Sequence, residues 1–528
     1  MMKKGKRIAS AICAFGCAAA LCVSLAACSG GDGATDASSD SIELNIVRNT
    51  NNTTSVFTLD PAVEYQGGAS VDLGVCETLF DMNEDESDVE GVLATGYTVS
   101  DDGLTWTIDI REGVTFSNGR ALDAQVVKES FEYELASVKR LSTMLDIASI
   151  EADGQTLTIT TNSVVPILPR ILTSTNLLVF DTNETADLSK SIIGTGAFVL
   201  ESVDGDGNCD MVRNDNYWRG TPVASAIHSK CGLDSTAIAS ALQSGEIDWG
   251  SVQSTDVSLF EGDSSYNEFT SMSNGRVYYL YLNSNYTFTG DSAVRQAIMR
   301  AIDRESIVEG LYAGAGTAAY SIFPDYSPYY DDSHDQPAFD VAEAKSILAD
   351  AGYADTDGDG IVEKDGEPVK LELVCYSANQ FPKLSETLQA ELKDIGIDCD
   401  ITVSDAIVDD LGTGEFNIGV YAYNTLTYGD ATNYLDAVYR TGATSNFNNY
   451  SDAEVDAMLE QLRSTTDEET RVELVSKIQE RILADDTHVF IMRPVTYTFV
   501  NSNITTTEDV FGTSKSVGQH LWAIGKTE

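Results

Sequence analysis

A catalytic site needs a constellation of side chains, and the four histidines of this chain, His228, His334, His488 and His520, do not supply one. None lies within four residues of another, so no two share a helix face that would hold a metal. There is no G-x-S-x-G elbow, no H-E-x-x-H and no phosphate-cradling glycine loop after a strand. An enzyme is therefore not expected, nor a resident cofactor or a protein-held metal. Two segments carry milder chemistry. Asp355-Thr356-Asp357-Gly358-Asp359-Gly360 sets acidic oxygens at positions one, three and five of a calcium-type loop, with glycine at six. Its twelfth position is Gly366, where a bidentate glutamate should stand, and Lys364-Asp365-Gly366-Glu367 reads as the turn of a small hairpin instead. Tyr421-Ala422-Tyr423-Asn424-Thr425-Leu426-Thr427-Tyr428-Gly429-Asp430-Ala431-Thr432 collects three tyrosines, an asparagine and a single acid, a set suited to stacking and hydrogen bonding.

Cys28 is a third chemical feature. Lys3, Lys4, Lys6 and Arg7 precede an uncharged run from Ile8 to Ala27 that ends Leu25-Ala26-Ala27. A small, polar stretch, Ser29-Gly30-Gly31-Asp32-Gly33-Ala34, follows. A basic start, an apolar run and small residues before the cut make an export signal. The cut falling before a cysteine resembles the bacterial lipobox, whose thiol takes a diacylglyceryl group. The run is rich in alanine and short of large apolar residues, which argues against a membrane span. The expectation is a signal peptide over 1–27, lipidation of Cys28 and a flexible tether over 28–40. The folded body would then stand outside the cell membrane on a lipid anchor.

Composition bounds that body. At 528 residues, with 42% apolar and 22% charged residues, the chain is folded and large enough for two or three domains. Removing residues 1–27 takes the net charge from −51 to −55, a surface that repels phosphate backbones, so no nucleic-acid partner is expected. The cysteines left after the signal and Cys28 are Cys76, Cys209, Cys231, Cys375 and Cys399, none in a C-x-x-C spacing. Disulfides Cys209–Cys231 and Cys375–Cys399 are expected, with Cys76 a small buried thiol in a helical stretch.

The elements that must position these groups are mixed α and β. Thr105–Ile110 alternates polar and apolar with period two, a half-buried strand after the Asp101-Asp102-Gly103 turn. Thr156–Thr160 is a second strand behind the Asp153-Gly154 turn. Asp340–Gly352 and Leu384–Ile395 show helical spacing, and strands at Lys370–Tyr376 and Ile397–Val403 complete a β-α-β unit with parallel strands. Ala453–Leu462 and Glu468–Leu483 read as amphipathic helices. Arg295 and Asp303, eight apart, are read as one helix face tying helix ends.

Several segments resemble one family, the large solute-binding proteins of ABC importers that carry oligopeptides, dipeptides or nickel. They are Leu93-Ala94 through Thr105-Trp106-Thr107-Ile108 to Phe116-Ser117-Asn118-Gly119, then Gly194-Thr195-Gly196-Ala197-Phe198 and Arg213-Asn214-Asp215-Asn216-Tyr217-Trp218. Ser244-Gly245-Glu246-Ile247-Asp248, Val294–Ile298 with Ala301–Arg304, Ala344–Tyr353 and Asn446–Ser451 follow in the family's order, closing with Glu468–Arg471. The resemblance implies an α/β fold of two lobes joined by a hinge that closes over a solute. Lobe I would span 41–270 with an inserted subdomain at about 84–188, lobe II 271–492, and 493–528 would return to lobe I. It implies an ABC permease and ATPase as partners, a monomeric body, and a peptide or metal-chelate solute.

In peptide-binding members an acid within a segment like W-x-x-D-Y-x-D-P grips the α-ammonium group. The matching position here is Thr427, which departs from the peptide pattern, and the same segment leans toward the nickel-type branch. The ligand set implied by position is Tyr421, Tyr423, Asn424, Tyr428 and Asp430 from lobe II, with Tyr65 and Arg170 from lobe I. Asp430 would answer a ligand ammonium in place of Thr427. Arg170 lies among Leu168, Ile171 and Leu172, so its guanidinium should meet a carboxylate, either Glu132 or one on the ligand.

Overall fold

Period-two alternation builds one of the two main sheets. Along Arg276–Leu282, Tyr278, Leu280 and Leu282 bury into one helical layer, and Val277, Tyr279 and Tyr281 into the other. A strand with both faces buried reads as a near-continuous apolar run, as this one does. The sheet has six strands in the order Gly316–Ala318, His488–Pro494, Arg276–Leu282, Ile418–Asn424, Lys370–Tyr376, Asp398–Ser404. Lys370–Tyr376 and Asp398–Ser404 pair in parallel around the helix Phe381–Asp394, the β-α-β unit expected from the sequence. The computed structural model describes residues 42–48, 57–63, 67–83, 88–185, 187–271, 275–513 and 515–527. The signal, Cys28, the tether and Tyr65 lie outside them.

A seven-stranded sheet forms the other main body, with Glu43–Arg48 between Ala226–Cys231 and Trp249–Val252, and with Thr496–Asn501 between Trp249–Val252 and Tyr266–Ser271. The chain leaves this sheet after Tyr266–Ser271 and enters the six-stranded one at Arg276. It comes back between His488–Pro494 and Thr496–Asn501, with Val495 alone intervening. The two crossings run side by side, since Ser271 pairs with Thr496 and Tyr278 with Met492. A third, four-stranded sheet carries Thr105–Ile110 and Thr156–Thr161 next to each other. Trp106, Ile108, Leu157 and Ile159 close its core against the helix Ala124–Leu135.

Part of the acid surplus is spent on helix starts. Asp123, Asp234, Asp340, Asp452 and Asp467 each accept a backbone N–H at a helix N-terminus, where a negative charge also meets the helix dipole favourably. Arg295 and Asp303 do not share a helix. The helix Ser292–Ala301 ends before Ile302, and Asp303 caps the next one, Arg304–Leu311. Arg295 instead holds the carbonyls of Thr289, Gly290 and Asp485. Cys76 is buried but lies in the stretch after the short helix Ala69–Asp72, not in a helix.

Neither expected disulfide forms, and register explains both. Cys375 stands opposite Val403 and Cys399 opposite Leu371, an offset of four residues or about 13 Å along the strands. Cys209 stands opposite Ser229, so Cys231 is a diagonal neighbour at about 7–8 Å, past the reach of a disulfide. Burial, mainly, pushes Cys209 and Cys399 up to about 12, so both stay protonated and inert. Alkylation of unreduced, unfolded mature protein should therefore label all five of these cysteines. In the folded protein half-buried Cys231 should react first; a count of three or fewer after unfolding would show a bridge.

Candidate ligand cleft

The Tyr421–Thr432 segment begins as strand and ends as a device that reaches toward the inserted sheet. Alternation puts Ile418, Val420 and Ala422 in one core layer and leaves Tyr421 and Tyr423 half-buried on the opposite face. Tyr421 packs its ring 6.0 Å from those of Tyr281, Tyr376 and Phe447, and Tyr423 lies 5.3 Å from Tyr434. Asn424 ends the strand and accepts a hydrogen bond from Arg276 Nη1 at 3.3 Å. Thr425 then anchors the segment to the sheet crossing, donating from N and Oγ1 to the Gly275 carbonyl at 3.3 and 2.8 Å. Gly275 has φ +58°, and a Cβ there would sit 2.6 Å from Thr425 Oγ1, so only glycine allows the approach.

Thr427 and Asp430 bond reciprocally through their backbones at 3.1 and 3.2 Å, closing a turn around Tyr428 and Gly429. Both central residues have positive φ, +55° and +69°. Glycine adopts that region freely, but an aromatic residue does so only under tertiary constraint. The constraint is visible: Tyr428 packs against the core of the inserted sheet, and its hydroxyl accepts a hydrogen bond from Arg140 Nη1 at 3.1 Å. Arg140 Nη2 also donates to Asn176 Oδ1 at 3.3 Å. Buried Asn176 is in turn held by the carbonyls of Pro61 and Val63 at 2.9 and 3.1 Å.

Two of the expected ligand contacts resolve differently. Asp430 is only 1% exposed, and its Oδ2 accepts hydrogen bonds from Arg471 Nη2 and from Tyr329 at 3.1 Å. Burial raises its pKa, but the Arg471 charge and the bonds from Thr432 outweigh that and hold the carboxyl below the usual range. It forms a buried ion pair, so its charge is already answered by Arg471 before any ligand ammonium arrives. Arg170 meets neither Glu132, which pairs with Lys128, nor a free gap. It donates across to the Gly429 carbonyl and to Glu468 Oε1, both at 3.4 Å, so its carboxylate belongs to the opposite body. Arg140 and Arg276 were not singled out from the sequence. The only signal for Arg140 was a basic Lys139-Arg140 pair in a strongly acidic chain.

Between these elements lies a cavity of about 390 Å³. Met144, Val165, Pro166, Ile167 and Ile171 give it an apolar wall, and Asp146, Asp430, Asn433, Asp436, Glu460, Arg463 and Arg471 a polar one; Arg140, Arg276 and the tyrosines of the segment do not line it. The histidines stay apart, with His488 and His520 buried and His228 paired to Asp210. In the acidic loop, oxygens of Asp355, Asp357, Asp359 and Glu363 lie within 4.8 Å of one another. The loop's own amides and Thr356 fill these carboxylates, and the hairpin Glu363–Lys364 with Glu367–Pro368 follows.

Residues 88–446 match the family of bacterial extracellular solute-binding proteins, family 5. The chain belongs to that family. It is 27% identical over 414 residues to the nickel-binding protein NikA of Staphylococcus aureus, covering 77% of this chain and 80% of that one. It is also 27% identical over 446 residues to the oligopeptide-binding protein AppA of Bacillus subtilis, covering 80% and 81%. The crystal structure of the nickel ABC transporter from Bacillus halodurans matches with a TM-score of 0.75 at 27% identity, over 90% of this chain and 98% of that one. As a family 5 solute-binding protein the chain has the two-lobed α/β fold. Among its described residues no helix is long and apolar enough to cross a membrane.

Proposed function

We propose that this protein captures a small solute between its lobes and delivers it to an ABC permease, the solute being a metal chelate carrying carboxylates or a short peptide. The chelate is the better supported of the two. The observation that carries it is the pair of guanidinium groups, Arg140 and Arg276, bonded to the Tyr421–Thr432 segment. Arg140 and Arg276 converge on Asn424 and Tyr428, while Thr427 stands where an ammonium-gripping acid would be and Asp430 is consumed by Arg471. Guanidinium groups bind carboxylates bidentately, and the neighbouring tyrosines can stack on an imidazole or close over an apolar part. Nickel in such a chelate would be cargo, with its donors supplied largely by the small ligands. Similarity to both a nickel-binding and an oligopeptide-binding relative keeps the peptide as the second reading.

A stabilisation screen tests it. A solute that binds only the folded protein adds about 2.7 kcal/mol at a 100-fold excess over its dissociation constant. Nickel with histidine should raise the melting temperature and nickel alone should not. A response to di- to pentapeptides with none to the chelate would reverse the order.

The lipid anchor is part of the same proposal, resting on the charge, apolar run and Leu25-Ala26-Ala27 before Cys28. Cys28→Ala should leave the protein uncleaved or release it to the medium. Unchanged tethering of that variant would refute the anchor.

A further inference from the structure

Where the inserted sheet meets the seven-stranded sheet there is a second cavity, of about 290 Å³, which shares no lining residue with the one between the lobes. Trp218 lines it and packs against the cores of both sheets. Two guanidinium groups lie on this one indole, Arg111 at 4.4 Å and Arg219 at 4.7 Å from the ring centre. A cation over tryptophan is favourable, but a second cation on the same ring repels the first. That repulsion is visible in Arg111, where burial first and the Arg219 charge second weaken the hold on its proton.

The other charges of the cavity are already matched. Lys515 pairs with Glu90 at 3.2 Å, and His520 lies between Asp81 at 3.2 Å and Glu508 at 2.6 Å. Glu77, the buried acid beneath Trp218, accepts hydrogen bonds from Thr195, Tyr217 and the indole. The arginines feel the Glu77 charge but make no ion-pair contact with an acid among the described residues. Arg111 spends Nε on the Val92 carbonyl at 2.7 Å and Nη2 on the Gly91 carbonyl at 3.4 Å, neither of them charged. Arg219 lies over the faces of Trp218 and Trp522 within the field of Glu77, and its Nε is buried without a hydrogen-bond partner. Leaving a buried donor unsatisfied is costly, and leaving it unsatisfied in a chain with 83 acidic residues shows that the surplus acid was not used here.

We propose that this cavity is a binding site for a small oxyanion, phosphate or a di- or tricarboxylate, held between Arg111 and Arg219. Guanidinium forks match the planar or tetrahedral oxygens of such anions, and the apolar indole lowers the local dielectric in which they meet. The overall charge of −51 opposes anion binding at long range, so the site works only by close contact and should be specific. Bound there, the anion ties the inserted sheet to the rest of its lobe and stabilises the folded protein.

The test is calorimetric titration and thermal unfolding of the mature protein with sodium phosphate and with sodium citrate, each against sodium chloride at equal ionic strength. Phosphate, citrate or both should bind and raise the melting temperature, and the two arms separate phosphate from carboxylate. Arg219→Gln should weaken that binding by about tenfold or more, the loss of a charge-assisted contact. Arg140→Gln, at the lobe junction, should leave it unchanged, which separates this site from the solute cleft. If Arg219→Gln does not fold, Arg111→Gln gives the same reading. Selenate soaked into crystals of the unsubstituted protein gives an independent one, with its anomalous peak expected against Trp218. Equal responses to chloride, undiminished binding by the Arg219 or Arg111 variant, loss of binding in Arg140→Gln, or no peak in this cavity would each overturn the proposal.

Discussion

Asp430→Ala should lower the unfolding free energy by about 3–5 kcal/mol, because it strands a buried guanidinium. Arg471 is 4% exposed, and its other donors go to the carbonyls of Leu462 and Thr465 at 2.8 and 2.9 Å and to Thr432 Oγ1 at 2.8 Å, so little of it can turn to water. Arg471→Met should be as damaging, since it leaves the Asp430 carboxylate facing only the Tyr329 hydroxyl and the Thr432 amide. The double variant Asp430→Leu with Arg471→Met should be milder than either alone, as apolar replacement of a whole buried pair often is. The pair also sets an acid limit. Asp430 has a folded pKa below its unfolded one, so its contribution is fully present above about pH 4. It is lost as pH falls through the lower, folded value. Urea unfolding at neutral pH and along an acid series measures both effects. A loss below about 1 kcal/mol for the single variants would place the pair with exposed salt bridges, and the buried-pair reading would fail.

That outcome also separates what the residues announce from what they do not. Thr105–Ile110 and Lys370–Tyr376 are legible because a strand's pattern has a period of two residues and needs no distant information. The helices from Val341 and Ala453 are legible because Asp340 and Asp452 are local stop-and-start signals. Asp430 looked like a ligand-facing acid because its local segment contains no base. Arg471 lies 41 residues away on another helix, and no local rule reports that. The cysteines failed for a related reason: being on adjacent strands was readable, but register was not, and a four-residue slip separates Cys375 from Cys399. Tyr428 is the sharpest case. Gly429 hints at a turn, yet nothing local predicts positive φ for the tyrosine before it, since the inserted sheet imposes it. The resemblance points to the Tyr421–Thr432 segment, but the charges that meet it come from Arg140 and Arg276, 288 and 148 residues from their partners.

Arg140→Gln should weaken solute binding by roughly two orders of magnitude while the empty protein keeps its stability to within about 1 kcal/mol. The guanidinium is held in place before any solute arrives, with Asn176 fixing one Nη and Tyr428 engaging the other from the opposite lobe. Preorganisation of this kind means little ordering cost on binding. Glutamine keeps a donor and most of the volume but loses the charge and the fork. Arg140→Lys should recover little, because a point charge cannot bond Asn176, Tyr428 and a carboxylate in one plane. Tyr428→Phe should cost only about three- to tenfold, the loss of one neutral hydrogen bond at a site whose shape is unchanged. The ordering of these three variants is the test, by titration calorimetry with whichever solute passes the stabilisation screen. If Tyr428→Phe is the most damaging and Arg140→Gln is silent, the cleft recognises its solute by stacking rather than by charge. The peptide reading would then gain over the anionic chelate.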